Sequence, residues 1–149
     1  MPNGIQFFIS CSLFGLLLNG MAEAYDMAIE MPDIDFEKIM MIESSGNPKA
    51  YNKKSQARGL YQITPIVLRE WNQYHPRMKF KDNDLFNKQV NTHIAKWYLT
   101  KRIPQMLKVY KLPLTIENIL ISYNAGISKT IKGKIPKETQ EYINKYKAK

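Results

Sequence analysis

One glutamate lies where a carboxyl group could act as an acid. Upstream of it, apolar residues recur at helical spacing, at Phe36, Ile39 and Met40. Glu43 continues this spacing, so its carboxyl group projects from the apolar face of a helix, one turn before the helix-breaking residues 46–48. Burial and the partial negative charge of a helix C-terminus both raise the pKa of a carboxyl group. Glu43 is therefore a candidate general acid near neutral pH.

Two later segments place polar groups beside apolar ones. In ARGLYQITP, residues 57–65, Gly59 permits a close backbone approach, and Gln62 can both donate and accept hydrogen bonds. In ISYNAG, residues 121–126, Tyr123 ends an apolar helical stripe and carries a hydroxyl group. Taken singly, these patterns also fit an entry loop, a core aromatic residue and, for the acid, an ordinary surface glutamate at a helix end.

Helical patterns dominate the elements that must position these residues. Capping residues, apolar periodicity and helix breakers predict helices at about 35–45, 65–74, 83 or 84 to Pro104, 105–110, 116–123 and 137–147. Any β-hairpin would have to come from the loop 49–62. The sequence therefore predicts a single, mostly α domain with at most a minor β-hairpin.

The N-terminal segment has the composition of an export signal. Residues 5–18 are nearly all apolar, and AEA at 22–24 is a small-residue cleavage signal. Together they predict a signal peptide over residues 1–24 and a catalytic domain over 25–149. A retained membrane anchor is the alternative, although the apolar run is shorter than the ~20 residues that span a membrane. Since Cys11 is the only cysteine, the mature chain would have no disulfide bond and no thiol ligand.

The charge of the chain restricts its partners less than its export signal does. A net charge of +9 predicts attraction to polyanions, and both nucleic acid and an acidic cell envelope fit that description. The export signal favours the envelope. With two histidines in the chain and no thiol in the mature part, we expect no zinc site, and no cofactor is implied.

Four segments together resemble the catalytic domain of lytic transglycosylases, which has a lysozyme-like fold shared with goose-type lysozyme. IESSGNPKAYN at 42–52 is similar to the family's E-S-x-x-N-P segment, and ARGLYQITP at 57–65 to its G-L-x-Q-x-x-P segment. SYNAG at 122–126 is similar to A-Y-N-A-G, and KETQEYI at 137–143 to E-T-x-x-Y. The resemblance covers about residues 34–146, and four motifs in the right order make it specific.

The resemblance implies roles for the matched polar residues. Glu43 would be the single catalytic acid/base. Gln62 and Tyr123 would line the sugar cleft at the cleavage point. Asn124 would support the turn at Tyr123, and it counts among the expected substrate-binding residues.

Three further residues would contact the glycan or the cleft. Ser55 is the match to a loop serine that contacts substrate. Thr64 stands where many members have methionine, so an apolar contact to the sugar would be absent and the threonine would cap a helix. Tyr142 would pack against the cleft floor, with a substrate contact as a further expectation.

The implied activity is non-hydrolytic cleavage of peptidoglycan. Glu43 has no second acid within its motifs, and Asp82 and Asp84 fit helix caps. By the resemblance, Glu43 would protonate the leaving oxygen of the MurNAc-β-1,4-GlcNAc bond. The N-acetyl group and 6-hydroxyl of the same muramic acid would then close a 1,6-anhydro ring, without water or metal. Three alternatives stay open: a goose-type muramidase, a non-catalytic peptidoglycan-binding module and a basic nucleic-acid-binding protein.

The expected setting follows from this activity. The partners would be peptidoglycan glycan strands and no nucleic acid, and we expect a monomer. The location would be the periplasm or cell envelope, with anchoring through residues 1–24 and a secretion-apparatus partner as open alternatives.

Overall fold

The computed structural model describes residues 30–148, and most of them are helical. A 3-10 helix (Asp82–Phe86) precedes the α-helix Lys88–Trp97, and a π-helical turn (Tyr98–Arg102) joins that helix to the next one, Ile103–Val109. The mostly α, lysozyme-like fold predicted from the sequence is confirmed. The predicted signal segment, residues 1–24, lies outside the described residues and stays a prediction. The α-helices are α1 (Phe36–Ser44), α2 (Pro65–Tyr74), α3 (Lys88–Trp97), α4 (Ile103–Val109), α5 (Ile116–Ala125), α6 (Ile127–Lys132) and α7 (Lys137–Lys147).

Polar side chains cap the helices α1, α2, α3 and α5. The Asp35 carboxylate accepts a hydrogen bond from the backbone amide of Lys38 in the first turn of α1. The hydroxyl groups of Thr64 and Thr115 do the same for α2 and α5, as the sequence predicts. Pro65 follows as the first residue of α2, where its fixed φ favours a helix start. These caps fix the ends of the loops that carry the candidate site.

The middle of the chain differs from the prediction in two ways. The predicted helix start at residue 83 or 84 is wrong, because residues 82–86 form a 3-10 helix. Helix α3 begins after Asn87, whose side chain accepts hydrogen bonds from two backbone amides. Pro104 does not end the helical run. It lies in the first turn of α4, where its missing N–H costs little, and the π-helical turn before it changes the backbone hydrogen bonding.

Two short segments could not be assigned from periodicity. In place of a β-hairpin, the loop 49–62 and its flank form isolated antiparallel bridges that join Tyr51 to Arg58 and Arg58 to Ile63. Helix α6 was not predicted, because its six residues between two glycines are too few to show an apolar period.

The hydrophobic core lies around α5. This helix packs against α4, α6 and α7, and its residues Ile119 and Leu120 are fully buried. Helix α7 also packs against α1, which brings the fourth motif to the first. Leu60 and Tyr61 extend the core into the loop between α1 and α2. No helix within residues 30–148 is long and apolar enough to cross a membrane.

Candidate active site

Glu43 lies in the last turn of α1, partly buried. Burial raises the pKa of its carboxyl group from 4.5 to about 7, and the neighbouring Tyr142 hydroxyl group opposes that rise. This is the direction that the apolar face of the helix predicts. The helix stops immediately afterwards because Ser45 and Gly46 both adopt left-handed backbone conformations. The carboxyl group is therefore held half-protonated near neutral pH at the end of a rigid element.

Tyr142 reaches Glu43 from α7. Its hydroxyl group is buried and makes no hydrogen bond of standard geometry with any residue in the described part of the chain. It is nevertheless near enough to lower the pKa of Glu43, while burial and the charge of Glu43 raise the pKa of Tyr142. The two groups thus face each other without a fully formed hydrogen bond. A buried donor in this state is one that a bound ligand or a small shift could satisfy.

Tyr123 approaches the same carboxyl group from α5. Burial raises the pKa of its hydroxyl group well above the ordinary value, and the charge of Glu43 raises it further. The hydroxyl group donates to the backbone carbonyl of Tyr61 at 2.5 Å. Its proton is therefore engaged by the loop, while its oxygen can still accept a hydrogen bond from a sugar.

Gln62 makes its side-chain hydrogen bonds within its own loop, and its contact with a sugar stays a prediction. Its φ is 49°, in the left-handed region, which is uncommon for a residue other than glycine. Its side-chain amide donates to the carbonyls of Gly59 at 3.1 Å and Ala50 at 3.4 Å. The amide nitrogen thus stabilises its own loop, and the side-chain oxygen is the atom left to accept a hydrogen bond from a sugar.

Ser44 joins the acid-bearing helix to this loop. Its hydroxyl group donates to the carbonyl of Leu60 at 2.7 Å. Sequence reasoning missed this contact, although Ser44 belongs to the first motif. Because Ser44 neighbours Glu43 in the chain, its bond fixes the helix end against the loop that also receives Tyr123.

Asn124 follows Tyr123 in the last turn of α5. Its side-chain oxygen accepts a hydrogen bond from the Thr139 hydroxyl group at 2.7 Å, and its support of the turn at Tyr123 stays a prediction. Thr139 lies three residues before Tyr142 on α7. The bond therefore links the third motif to the fourth and sets the position of the helix that carries Tyr142.

The side chains of Ser55 and Thr64 accept hydrogen bonds from backbone amides two and three residues further along the chain. Ser55 is exposed, and its side chain accepts from the backbone amide of Ala57. Thr64 caps α2 by accepting from the amide of Val67 at 3.4 Å. Their contacts with a glycan stay predictions.

The other acids considered in the sequence have separate tasks. Asp82 forms an ion pair with Arg58 at 3.4 Å. Asp84 accepts a hydrogen bond from the amide of Lys81 at the start of the 3-10 helix. Within the described residues, the pKa of Glu43 is set by burial and by a tyrosine, with no contribution from a second carboxylate.

Comparison with protein families gives one match. The family model for the transglycosylase SLT domain matches residues 24–146. The chain therefore belongs to the transglycosylase SLT domain family, which supports a lytic transglycosylase-type function on peptidoglycan. No curated protein and no solved structure gave a significant match.

Proposed function

We propose that this member of the transglycosylase SLT domain family is an exported lytic transglycosylase with Glu43 as its sole acid/base. It would cleave the MurNAc-β-1,4-GlcNAc bond of peptidoglycan and leave a 1,6-anhydromuramyl end. The observation that carries this proposal is the setting of Glu43 among the residues that the structure describes: burial raises its pKa to about 7, and the titratable side chains coupled to it are the neutral tyrosines Tyr142 and Tyr123, with no second carboxylate.

In the first step, protonated Glu43 donates its proton to the glycosidic oxygen as the bond from that oxygen to the anomeric carbon breaks. The carbonyl oxygen of the muramic acid N-acetyl group forms a bond to the same carbon, which gives a cyclic oxazolinium ion. A pKa of about 7 leaves a useful fraction of the carboxyl group protonated near neutral pH.

In the second step, Glu43 acts as a base. Its carboxylate accepts the proton of the 6-hydroxyl group, and the 6-oxygen attacks the anomeric carbon. The bond to the N-acetyl oxygen breaks, so the N-acetyl group is restored and the 1,6-anhydro ring closes. The proton balance is then complete, and Glu43 is again protonated for the next cycle.

The tyrosines would serve the two charge states of this one carboxyl group. In the carboxylate state, the Tyr142 hydroxyl group can complete the hydrogen bond that it lacks in standard geometry. Tyr123 holds the loop through Tyr61 and presents its oxygen to the sugar. Both effects favour a site that exchanges one proton twice without a second acid.

A hydrolytic muramidase would use a second carboxylate, placed about 5–5.5 Å from the first for retention or about 6.5–9.5 Å for inversion. Asp82 and Asp84 are engaged in the 3-10 helix and its ion pair. Because both carboxylates already have partners away from Glu43, they favour a reaction that uses Glu43 alone.

The deciding experiment is mass spectrometry of products from purified peptidoglycan sacculi. We expect 1,6-anhydromuramyl products from the wild-type protein, none from Glu43→Gln, and unchanged products from the exposed control Glu37→Gln in the same helix. Reducing muramic acid ends would identify a hydrolase. Binding without cleavage would identify a glycan-binding module, and full activity of Glu43→Gln would remove Glu43 from the mechanism.

Export is a separate part of the proposal. It rests on the apolar run 5–18 followed by a small-residue cleavage signal, and the net charge of +9 fits an anionic envelope. N-terminal sequencing of the protein from the periplasmic fraction tests it. A start at residue 25 supports cleavage, and an intact N-terminus in the membrane fraction supports anchoring.

A further inference from the structure

Asn91 is a completely buried amide in the first half of α3. Its side-chain oxygen accepts a hydrogen bond from the backbone amide of Tyr61 at 2.8 Å. Its side-chain nitrogen donates to the carbonyl of Arg58 at 2.8 Å and to that of Leu85 at 2.9 Å. Both donors and the acceptor are thus used, and two of the three bonds go to one short loop, some thirty positions away in the chain.

That loop accepts hydrogen bonds from hydroxyl groups of α1 and α5, the two helices that carry Glu43 and Tyr123. The carbonyl of Leu60 accepts from Ser44, the chain neighbour of Glu43, at 2.7 Å. The carbonyl of Tyr61 accepts from Tyr123 at 2.5 Å. The groups bound by Asn91 lie on either side of Leu60, so the amide holds the segment whose carbonyls meet α1 and α5.

The loop has little freedom to shift on this amide. At Gly59, a Cβ atom would come within 2.3 Å of both the Asn91 side-chain nitrogen and the Leu85 carbonyl oxygen. The backbone therefore lies directly against Asn91, in a conformation with φ 79°. The close contact and the two hydrogen bonds to Arg58 and Tyr61 together hold the loop in one position on α3.

We propose that Asn91 is a positioning residue for the reaction. It holds residues 58–61 in place, so that the carbonyl groups of this loop keep the side chains of Ser44 and Tyr123 in fixed positions near Glu43. Asn91 does not touch substrate in this mechanism and acts through the loop alone. The inference rests on the proposed function, because it assigns Asn91 to the geometry of that same site.

A second asparagine provides a matched control. The Asn72 side chain accepts from the backbone amide of Phe80 and donates to its carbonyl, both at 2.9 Å. It also braces a loop against a helix, but its hydrogen bonds do not reach residues 58–61. Asn91→Ala and Asn72→Ala therefore both remove amide-to-backbone bonds, and only the first removes them from the candidate site.

The kinetic test compares the two variants with wild type on sacculi, below the unfolding temperature of each. We expect Asn91→Ala to lower kcat by about 10- to 100-fold with KM changed by less than about threefold, because small displacements of reacting groups have effects of this size. Asn72→Ala should keep wild-type kcat. Equal losses of kcat in the two variants, or full kcat in Asn91→Ala, would overturn the proposal.

A titration separates this proposal from the proposed function, because it needs no substrate. The carboxyl carbon resonance of Glu43, followed by NMR against pH, reports its pKa directly. A loosened loop lets water reach the carboxyl group, so Asn91→Ala should lower the pKa from about 7 toward 4.5, and Asn72→Ala should leave it unchanged. An unchanged pKa in Asn91→Ala would count against the positioning role even if the wild-type protein proved to be a hydrolase or a binding module.

A double-mutant cycle tests whether Asn91 affects Glu43 through the loop 58–61. Ser44→Ala and Asn91→Ala should have non-additive effects on the pKa of Glu43, because both act on the same loop; additive effects would contradict transmission through Leu60. If Asn91→Ala does not fold, Asn91→Ser replaces it in every measurement. This variant is uncharged and keeps one hydroxyl group, which can replace only part of the three hydrogen bonds, so it should move the Glu43 pKa and kcat in the same directions by smaller amounts.

Discussion

Replacing Glu43 with glutamine should stabilise the protein while it removes the proposed acid. The ordinary carboxyl pKa is 4.5, and that of Glu43 is about 7. The folded state therefore binds this proton more tightly than the unfolded state does. It follows that the Glu43 contribution to the free energy of unfolding falls as the pH rises from 4.5 to about 7, and stays low at higher pH.

The size of the effect follows from the pKa difference. At ~1.4 kcal/mol per pKa unit, the ionised carboxylate costs the folded state about 3 kcal/mol above neutral pH. Glutamine is uncharged and similar in shape, but its amide must also be desolvated. We therefore expect Glu43→Gln to raise the free energy of unfolding by about 1–3 kcal/mol near pH 8 and to change it by about 0 to −2 kcal/mol near pH 4, because the amide does not titrate and the two values must differ by the same ~3 kcal/mol.

Urea unfolding of both proteins at several pH values measures this difference. Glu37→Gln is the control, because Glu37 lies exposed in the first turn of the same helix. Its removal should reduce stability by a few tenths of a kcal/mol, about the same at every pH in the neutral range, through its interaction with the helix dipole. A Glu43→Gln variant that is no more stable than wild type near pH 8, or whose advantage does not vanish in acid, would refute burial as the cause of the raised pKa.

Three further substitutions have distinct expected outcomes. Tyr142→Phe removes the hydroxyl group that lowers the pKa of Glu43, so the alkaline limb of the pH–rate profile should move to higher pH. The free energy of unfolding should change by less than ~1 kcal/mol, because the lost hydroxyl group lacks a standard hydrogen bond. Gly59→Ala places a Cβ atom 2.3 Å from the Asn91 amide and should cost about 3 kcal/mol or more in thermal unfolding; a loss below ~1 kcal/mol would contradict the close contact. Thr64→Ala removes a helix cap and should cost ~1 kcal/mol with kcat and KM unchanged, whereas a raised KM would indicate the substrate contact predicted from the sequence.

Local chemistry made much of this site predictable from the sequence. The end of α1 follows from Gly46 and its neighbours, and the start of α2 from Thr64 and Pro65. The raised pKa of Glu43 follows from the apolar face on which it lies. Each of these features depends on residues within one or two helical turns, which is the range over which periodicity and capping signals act.

Long-range hydrogen bonds could not be predicted in the same way. Asn91 sits on the face of α3 that also carries Ile94, and an amide on a buried face signals only that some partner exists. Its partners, Arg58 and Tyr61, are chosen by how the loop folds back on α3. The sequence likewise could not show that the Gln62 amide binds its own loop. A hydrogen bond to a loop carbonyl and a hydrogen bond to a sugar would satisfy the same side-chain donor.

The unfavourable features of this fold concentrate at one place. An acid with a raised pKa, a buried tyrosine hydroxyl without a standard hydrogen bond and a left-handed glutamine all belong to the motifs at the candidate site. Left-handed backbone at Gln62 alone costs about 1–2 kcal/mol, in addition to the electrostatic cost at Glu43. The burial that makes the Glu43 carboxylate unfavourable is the same burial that keeps its proton available near neutral pH, so a substitution that relieves the strain at this residue should also remove the chemistry.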